Sequence, residues 1–241
     1  MRVLALDSSG IVASVAVVED DTLVAEYTVN YKKTHSQTLL PMLDEIVKMT
    51  ELDLKTIDAI AVAKGPGSFT GLRIGSATAK GLGLALDKPL VGIPTVEALA
   101  YNLYDVNGLI CPIMDARRKQ VYTGIYRYEN HRLMTVKDQM AVGIEELLSM
   151  LNDMGEAVTF LGDGVPVFKN TIADMLTVPF SFAPAHLSRQ RAGAVGALGI
   201  LYYKEGRTET AAEHKPDYLR VSQAERERAQ KLIKGSEGEN A

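Results

Sequence analysis

Runs of apolar residues open this chain, and their spacing predicts strands first and a helix after them. The first three runs are separated by short polar turns, which is typical of an antiparallel meander. From Leu39 to Val47 the apolar residues recur at helical spacing instead. Thr34 and Gln37 have the form of a capping box for this helix, and Pro41 is expected to kink it near its start. The three predicted strands are Val3 to Asp7, Val12 to Val18 and Leu23 to Asn30.

The elements that follow complete a known order. A strand from Asp58 to Ala63 leads into a long helix from Gly71 to Leu86, and a strand from Leu90 to Ile93 comes next. Thr95 is expected to cap a further helix that runs to about Tyr104. Three meander strands followed by helix, strand, helix and strand indicate a mixed sheet with packed helices, the order of a ribonuclease-H-like unit.

A shorter version of this order restarts in the second part of the chain. The patterning predicts a meander, a helix, a strand, a helix and a closing strand, at Leu109–Met114, Val121–Tyr128, Leu133–Thr135, Ile144–Leu151, Ala157–Leu161, Val167–Leu176 and Thr177–Phe182. We therefore predict an α/β protein of the actin-like ATPase (ASKHA) architecture, with two ribonuclease-H-like halves built on mixed sheets.

The predicted halves are residues 1–104 and residues 105–187. An Ala- and Gly-rich helix at 188–203 is expected to complete the first half. The C-terminal segment, 204–241, is rich in charged residues, and we expect it to be helical near Ala224–Lys231 and disordered from Gly235 onward.

Composition narrows the class of protein. The chain has 241 residues, 46% hydrophobic and 23% charged, which fits a globular protein that can bury a core. Its net charge of −4 argues against unaided binding to a nucleic-acid backbone. A lone cysteine, Cys111, excludes an internal disulfide and suits a reducing compartment. No apolar run has the length of a signal peptide or a membrane helix, so we expect a cytoplasmic protein without membrane contact.

A glycine-rich turn before the long helix is the most informative motif. Gly65-Pro66-Gly67-Ser68-Phe69-Thr70-Gly71-Leu72-Arg73 could offer N–H groups to an anion, but it lacks the Lys-Ser/Thr pair of a phosphate loop. The turn Asp7-Ser8-Ser9-Gly10 retains a carboxylate and hydroxyls, although an ordinary β-turn explains them equally well. The candidate vestigial phosphate contacts are Asp7, Ser8, Ser9, Gly65, Gly67 and Ser68.

An actin-like ATPase also needs two further turns around its nucleotide, and both fit poorly here. Asp115-Ala116-Arg117-Arg118 has an arginine where a glycine would let N–H groups approach phosphate. Leu161-Gly162-Asp163-Gly164 has a carboxylate between the glycines of the adenosine turn. We therefore expect no ATP hydrolysis and no bound cofactor in this chain alone. Micromolar, magnesium-dependent ATP binding would favour the alternative, an active ATPase or sugar kinase.

Motifs for other chemistry are weak. The four histidines, at positions 35, 131, 186 and 214, are too far apart to form a local metal motif, although folding could still assemble a site. Cys111 lies in an apolar run, and Ser68 has no neighbouring histidine or acid, so a peptidase, the second alternative, finds no nucleophile. We predict no catalytic residue and no metal site.

The long helix carries a stripe of small residues, Gly71, Gly75, Ala79 and Gly83. Interior glycines each weaken a helix by roughly 0.5–1 kcal/mol, so a close backbone approach should offset the cost. Packing on the protein's own sheet is one explanation. Alternatively, the leucine and isoleucine side chains face the sheet and leave the stripe for a partner helix. In that case Gly75→Leu should block docking without unfolding the protein. The predicted partner interface comprises Leu39, Leu43, Ile46, Val47, Gly71, Ile74, Gly75, Thr78, Ala79 and Leu82.

Taken together, the motifs resemble one family, TsaB, also called YeaZ. The matching segments are Leu4-Ala5-Leu6-Asp7-Ser8-Ser9, His35-Ser36-Gln37-x-Leu39-Leu40-Pro41, the glycine-rich segment from Gly65 to Gly75, Gly92-Ile93-Pro94-Thr95, Asp115-Ala116-Arg117-Arg118 and Pro216-x-Tyr218-Leu219-Arg220. They extend over almost the whole chain. Ser8 stands where the family's threonine is expected, and it still supplies a hydroxyl.

The resemblance implies a role as well as a fold. Members of this family are non-catalytic partner, or dimerization, subunits that bind the catalytic subunit TsaD through the first two helices, and the ATPase TsaE joins the pair. The assembly makes threonylcarbamoyladenosine (t6A) in tRNA. The resemblance therefore implies ATP and metal on partner subunits, tRNA contact only through the complex, and a homodimer when the chain is alone. TsaD-like chains carry a His-x-x-x-His metal motif, and this chain has only His35 at a comparable place.

Overall fold

The computed structural model of the protein describes residues 1–220, so the helix predicted near Ala224–Lys231 lies outside the described residues. The described chain forms two five-stranded sheets, each covered by helices, and these define two lobes. The first lobe contains β1 (Arg2–Asp7), β2 (Val12–Glu19), β3 (Thr22–Asn30), α1 (Leu39–Thr50), β4 (Ala59–Gly65), α2 (Phe69–Leu86), β5 (Leu90–Pro94) and α3 (Thr95–Tyr101). The second lobe contains β6 (Leu109–Asp115), β7 (Gln120–Glu129), β8 (Arg132–Gly143), α4 (Ile144–Met154), β9 (Val158–Leu161), α5 (Val165–Met175) and β10 (Phe180–Phe182), and α6 (Ala192–Lys204) returns to the first sheet.

The first sheet has the strand order β3-β2-β1-β4-β5. Strands β1 to β3 pair antiparallel, while β4 and β5 continue the sheet in parallel. Because successive side chains of a strand point to opposite faces, the central strand β1 is apolar on both sides. Leu4 and Leu6 pack in the cluster that holds α1 and α2, whereas Val3 and Ala5 pack in the cluster that holds α6.

The second sheet has the order β10-β9-β6-β7-β8, which is the same order read from its other edge. Its central strand β6 pairs antiparallel with β7 and parallel with β9. Helices α4 and α5 cover one face of this sheet. Helix α3 covers the other face through Val96 and Leu99, while its Ala98 packs in the first lobe. The two lobes therefore repeat one topology, which confirms the predicted fold class.

Helix α1 begins later than its sequence pattern predicts. A short 3₁₀ turn occupies His35–Gln37, and Thr38 precedes the first helical residue. The Thr34 side chain makes no capping hydrogen bond, so the predicted capping box is wrong. Pro41 falls in the first turn, where its missing N–H would have no helical partner, and α1 continues to Thr50. Pro41 therefore removes no helical hydrogen bond, and the predicted kink loses its physical basis.

Two other boundaries differ for reasons of side-chain chemistry. Ser68 starts α2, because its hydroxyl accepts a hydrogen bond from the Gly71 N–H at 3.3 Å. Thr95 does not cap α3 as predicted. Its hydroxyl accepts a hydrogen bond from the Gly65 N–H at 3.2 Å, so it joins the start of α3 to the glycine-rich turn.

Candidate functional site

The glycine-rich turn lies directly on the turn between β1 and β2. The Ser68 N–H donates to the Ser9 carbonyl at 2.7 Å, and the Ser8 hydroxyl donates to the Gly71 carbonyl at 2.9 Å. A methyl group at Gly67 would overlap the Ser9 carbonyl, and one at Gly71 would overlap the Ser8 carbonyl. The glycines thus let two segments of the chain approach each other, where a phosphate loop would approach its ligand.

Asp7 ends β1 beneath this contact and is fully buried. Its Oδ1 accepts hydrogen bonds from the Ser9 N–H at 2.9 Å and the Ser9 hydroxyl at 2.6 Å. Its Oδ2 has no hydrogen-bond partner among the described residues. Burial raises the pKa of Asp7 from its ordinary value of 3.8 to about 6, and the Ser9 hydrogen bonds only partly offset the effect. Burial therefore moves the pKa of this carboxyl toward neutral pH.

Two more polar side chains border the same turn. The His35 Nε2 lies 2.9 Å from the Gly10 carbonyl oxygen, and the Gln190 amide lies so close to Gly10 that a methyl group there would come within 2.9 Å of Nε2. Within residues 1–220, His35 Nδ1 and Gln190 Nε2 are buried without partners, as Asp7 Oδ2 is. Gln190 was not predicted, because nothing in its local sequence ties it to a turn about 180 residues earlier.

In the second lobe, the turn after β6 satisfies its own carboxylate. The Arg117 N–H donates to Asp115 Oδ1 at 2.8 Å, and the Arg117 guanidinium donates to Oδ2 at 3.2 Å. Arg117, Arg118 and Lys119 all have positive φ, between 56° and 65°. In an actin-like ATPase this turn would present accessible backbone N–H groups to phosphate. Here it has left-handed backbone and bulky side chains instead.

The predicted adenosine turn is also occupied by the protein's own backbone. Gly162 has a φ of 107°, and a methyl group there would overlap the Ile113 carbonyl of β6. Asp163 lies between the glycines and accepts a hydrogen bond from the Asp115 N–H at 3.3 Å. Burial raises the pKa of Asp163 above its ordinary value. The turns at Asp7, Asp115 and Gly162 therefore all make hydrogen bonds or close contacts within the same chain.

Residues 215–220, which we call the C-terminal strap, cross from one lobe to the other. The Asp217 N–H donates to the Lys64 carbonyl at 2.6 Å, and Tyr218 stacks on Phe69 with ring centroids 4.4 Å apart. In the second lobe, Gln139 donates to Asp217 Oδ2 and Arg220 donates to the Ala116 carbonyl, each at 2.6 Å. The strap thus connects the carboxyl ends of β4 and β6, where open α/β sheets usually hold ligands.

The small-residue stripe of α2 faces the protein's own sheet. Gly71, Gly75, Ala79 and Gly83 are buried, and a methyl group at Gly75 would overlap the Ser8 hydroxyl. The prediction that the stripe is left for a partner helix is wrong, because the β1–β2 turn and β5 need that space. Gly75→Leu would consequently disturb the fold as well as any interface. Ile74, Thr78 and Leu82 lie at the edges of the buried stripe and are half-buried.

The opposite face of α2 is open. Its exposed residues between Ile74 and Leu86 are uncharged, and Arg73, one turn before Ala77, lies over the Phe69 ring at the start of the helix. Ala77, Gly81, Leu84 and Ala85 are exposed, and Leu84 retains 73% of its accessible surface. A methyl group at Gly81 would meet no atom within 4 Å. Lys80 lies at the edge of this face and donates to the His214 carbonyl at 3.1 Å.

The apolar residues of α1 also form a buried set and an exposed set. Leu39, Leu43 and Ile46 are buried against the sheet, and Val47 is half-buried. Leu40 and Met49 point outward, with exposed fractions of 53% and 78%. The predicted interface residues on both helices therefore mostly form the packed inner layer, and different residues form the outer surface. Partner binding itself stays a prediction.

Three further findings concern residues 1–220 alone. No cluster of three or more histidine, cysteine, aspartate or glutamate side chains within them could hold a metal ion. Burial raises the pKa of the Cys111 thiol to about 12, so this cysteine is a poor nucleophile. None of the helices in this part of the chain is both long enough and apolar enough to span a bilayer.

Two lobes of one repeated topology, with their strand ends facing a common cleft, define a protein of the actin-like ATPase class. The inorganic polyphosphate/ATP-glucomannokinase of Arthrobacter sp. strain KM shares this fold, with a TM-score of 0.51 at 13% identity over 85% of this chain and 99% of the kinase. YeaZ from Pseudomonas aeruginosa is more similar, with a TM-score of 0.77 at 24% identity over 90% of this chain and 99% of that one.

Sequence similarity identifies the family within this class. A family model described as "TsaD: tRNA N6-adenosine threonylcarbamoyltransferase" matches residues 22–228. The "tRNA threonylcarbamoyladenosine biosynthesis protein TsaB" of Bacillus subtilis is 37% identical over 93% of this chain and 96% of its own length. The Escherichia coli protein of the same name is 34% identical over 66% of this chain and 70% of its own length. The chain belongs to the TsaB (YeaZ) family, a branch of the TsaD-like proteins, and the predicted family is confirmed.

Proposed function

We propose that this protein is a non-catalytic partner subunit in the biosynthesis of threonylcarbamoyladenosine in tRNA, and that it binds a TsaD-type catalytic subunit. The names of its TsaB relatives support the pathway. The close packing of the turns supports the absence of catalysis by this chain, because the protein's own backbone occupies the space beside Gly67, Gly71 and Gly162, and Arg117 pairs with the Asp115 carboxylate.

The observation that carries the docking role is the open face of α2. Between Ile74 and Leu86 the helix has one charged residue, Lys80, and that side chain is tied to the His214 carbonyl. Ala77, Gly81 and Ala85 recur every four residues on the outer surface, so a second helix could approach its backbone closely. The exposed side of α1 carries Asp44, Glu45 and Lys48 between Leu40 and Met49, so the apolar surface is confined to α2.

This surface fits a helix-to-helix interface, since Ala77, Gly81 and Ala85 leave the helix backbone accessible. The buried positions Leu43, Gly75 and Ala79 then act indirectly, by fixing α1 and α2 on the sheet. Direct contact falls to Ala77, Gly81 and Leu84 on the exposed face of α2. When the catalytic subunit is absent, we expect the same surface to pair with a second copy of this chain.

A pair of substitutions at Gly81 tests the docking surface. Gly81→Arg adds a long cation to the open face without touching the core, because nothing lies within 4 Å of the added Cβ. We expect the Kd for the TsaD-type subunit of the same cell, measured by isothermal titration calorimetry, to rise at least 100-fold. Gly81→Ala is the matched control and should change the Kd by less than 10-fold. Equal binding by wild type and a folded Gly81→Arg variant would exclude this face.

The remaining parts of the proposal concern the assembly. We place ATP and metal on the partner subunits, a TsaE-type ATPase as the third component, and tRNA contact in the complex rather than on the isolated chain. Filter binding of tRNA to this chain, to the TsaD-type subunit and to the pair checks the last point. Tight binding by this chain alone would contradict it.

A further inference from the structure

The turn between β6 and β7 holds three successive basic residues, Arg117, Arg118 and Lys119, in an unusual backbone conformation. All three have left-handed φ, between 56° and 65°, which residues other than glycine adopt at an energetic cost. Hydrogen bonds fix the turn, because the Gln120 N–H donates to the Arg117 carbonyl at 3.1 Å and the Ile144 N–H donates to the Lys119 carbonyl at 3.0 Å. Packing does not offset the cost, since the side chains of Arg117 and Lys119 keep 85% and 83% of their accessible surface. The fold therefore presents three cations to solvent from a fixed backbone.

Two more cations connect this turn to the start of α2. The Arg220 guanidinium donates to the Ala116 carbonyl at 2.6 Å, directly beside the turn. Two residues earlier in the strap, the Tyr218 hydroxyl accepts a hydrogen bond from Arg73 Nε at 3.3 Å, and the Arg73 guanidinium lies 4.0 Å from the centroid of the Phe69 ring. Arg73 is exposed and Arg220 is half-buried. We call this set of cations the basic face: Arg73, Arg117, Arg118, Lys119 and Arg220.

The carboxylates near the basic face are mostly directed inward or weakly paired. The Asp115 side chain is only 16% exposed and is bonded within its own turn, and Asp217 is half-buried and bonded to β8. Glu145 and Glu146 are exposed in the first turn of α4, and Glu145 lies 3.7 Å from Lys119. An exposed ion pair at this distance contributes little, so a phosphate can replace the carboxylate.

The sequence that follows Arg220 adds to the positive charge. Residues 221–234 contain four basic residues, Arg226, Arg228, Lys231 and Lys234, and two glutamates. This segment begins at the basic face, because Arg220 lies against Ala116. Positive charge is therefore concentrated at one place in a chain whose net charge is −4. Such a local patch attracts a polyanion even when the rest of the molecule is acidic.

The position of the basic face relates it to the docking surface. Its cations lie on both lobes and on the strap between them, so they fit an extended polyanion better than a single anion. Arg73 lies one turn of α2 before Ala77, where the open face assigned to the catalytic subunit begins. A nucleic acid held by that subunit can continue across the basic face, with arginine and lysine side chains at successive phosphates.

We propose that the basic face contacts the phosphate backbone of tRNA when this chain is paired with its catalytic subunit. The inference rests on the proposed function and adds to it a nucleic-acid surface on this subunit. These contacts position the tRNA and read no base sequence.

Two charge-matched double variants test this inference, with an unmodified tRNA transcript as the probe. Arg118→Gln with Lys119→Gln removes two cations of the basic face and leaves Arg117 on Asp115. The control, Lys55→Gln with Arg132→Gln, also removes one lysine and one arginine. Both control positions are exposed, and they lie before the amino end of β4 and at the end of the β7–β8 hairpin opposite Gln120.

Filter binding of the tRNA to the pair of subunits, over a series of salt concentrations, gives both the Kd and its salt dependence. For the basic-face variant we expect the Kd to rise about 5- to 30-fold at about 0.15 M salt, and the slope of log K against log salt to fall by about 2. The control should stay within about 2-fold of wild type. A tRNA of different sequence should lose the same factor, because phosphate contacts are independent of sequence.

Size-exclusion chromatography of the same proteins with the catalytic subunit distinguishes this inference from the proposed function. The basic-face variant should still form the pair, since Ala77, Gly81 and Leu84 are unchanged. A pair that forms and binds tRNA with the wild-type Kd and slope would overturn this inference alone. So would an equal loss in the control, a loss confined to one tRNA, or a basic-face variant that no longer pairs. If the wild-type chain forms no pair, the proposed function fails and this inference fails with it.

Discussion

Asp7 is the residue at which burial and charge conflict most directly. Two hydrogen bonds from Ser9 satisfy Oδ1, and Oδ2 has no described partner. A buried carboxylate with half its acceptors unpaired favours the protonated form, so burial raises the pKa of Asp7 to about 6. The folded protein therefore binds this proton more tightly than the unfolded chain does.

The sign of the resulting pH dependence follows from linkage. Between pH 3.8 and about 6 the folded state holds more protons, so the free energy of unfolding falls as the pH rises through this window. The full loss corresponds to about 3 kcal/mol. We predict that Asp7→Asn removes most of this fall, as measured by urea denaturation from pH 4 to pH 8. Asp21→Asn, at an exposed position, should keep the wild-type slope. An unchanged slope in Asp7→Asn would show that another group is responsible.

The sequence allowed Asp7, Ser8 and Ser9 to be singled out, because a carboxylate and hydroxyls follow an apolar run. It could not show that the turn is closed. That closure depends on Ser68 and Gly71, about 60 residues later, and on Gln190, whose position no local pattern reports.

At the scale of the element, α2 illustrates what periodicity can and cannot decide. A stripe of small residues at Gly71, Gly75, Ala79 and Gly83 was visible in the sequence, and so is a second stripe at Ala77, Gly81 and Ala85. Spacing alone does not say which stripe the sheet takes. The sheet takes the first, because the Ser8 carbonyl and Leu90 occupy the space that its missing side chains leave.

Two alanine substitutions within α2 distinguish the buried stripe from the exposed stripe by their effects on stability. Gly71→Ala would place a methyl group on the Ser8 carbonyl, so we predict a loss of about 2 kcal/mol or more in the free energy of unfolding. Gly81→Ala meets open space and should raise it by about 0.5–1 kcal/mol, the usual gain for an interior helical glycine. Urea midpoints at constant m-value measure both effects. Similar shifts for the two variants would mean that the packing of α2 is assigned incorrectly.

Strand boundaries were predicted to within about two residues in the first sheet, including its edge strands β3 and β5, and poorly for β8 in the second. The apolar run Val3 to Asp7 matches β1 almost residue for residue, because burial on both faces makes the strand visible in composition. Strand β8 extends over Arg132–Gly143, whereas the pattern predicted only Leu133–Thr135. As an edge strand it is largely exposed, and its register with β7 shifts twice, so its alternation is irregular.

At the scale of the whole molecule, the repeated order of elements in the two halves was enough to predict two related lobes. The path of the C-terminal strap was not predictable, because residues 215–220 form neither helix nor strand and carry no periodic signal. Their contacts with Lys64, Phe69, Ala116 and Gln139 appear only in three dimensions.

These contacts predict that the strap limits motion between the lobes. Spin labels at Lys55→Cys and Asn170→Cys, both exposed, report the distance between lobes, and buried Cys111 should stay unlabelled. Tyr218→Ala combined with Arg220→Ala should broaden the distance distribution by removing contacts to both lobes. Arg118→Ala, which alters an exposed side chain, is the control. A distribution identical to wild type would mean that the lobes are held by α3 and α6 alone.

The most direct test of the central claim is size-exclusion chromatography with light scattering, on this chain alone and mixed with the TsaD-type subunit of the same cell. We predict a homodimer for the isolated chain and its replacement by a one-to-one heterodimer after mixing. A chain that stays monomeric alone and elutes separately from the catalytic subunit would contradict the proposed partner role.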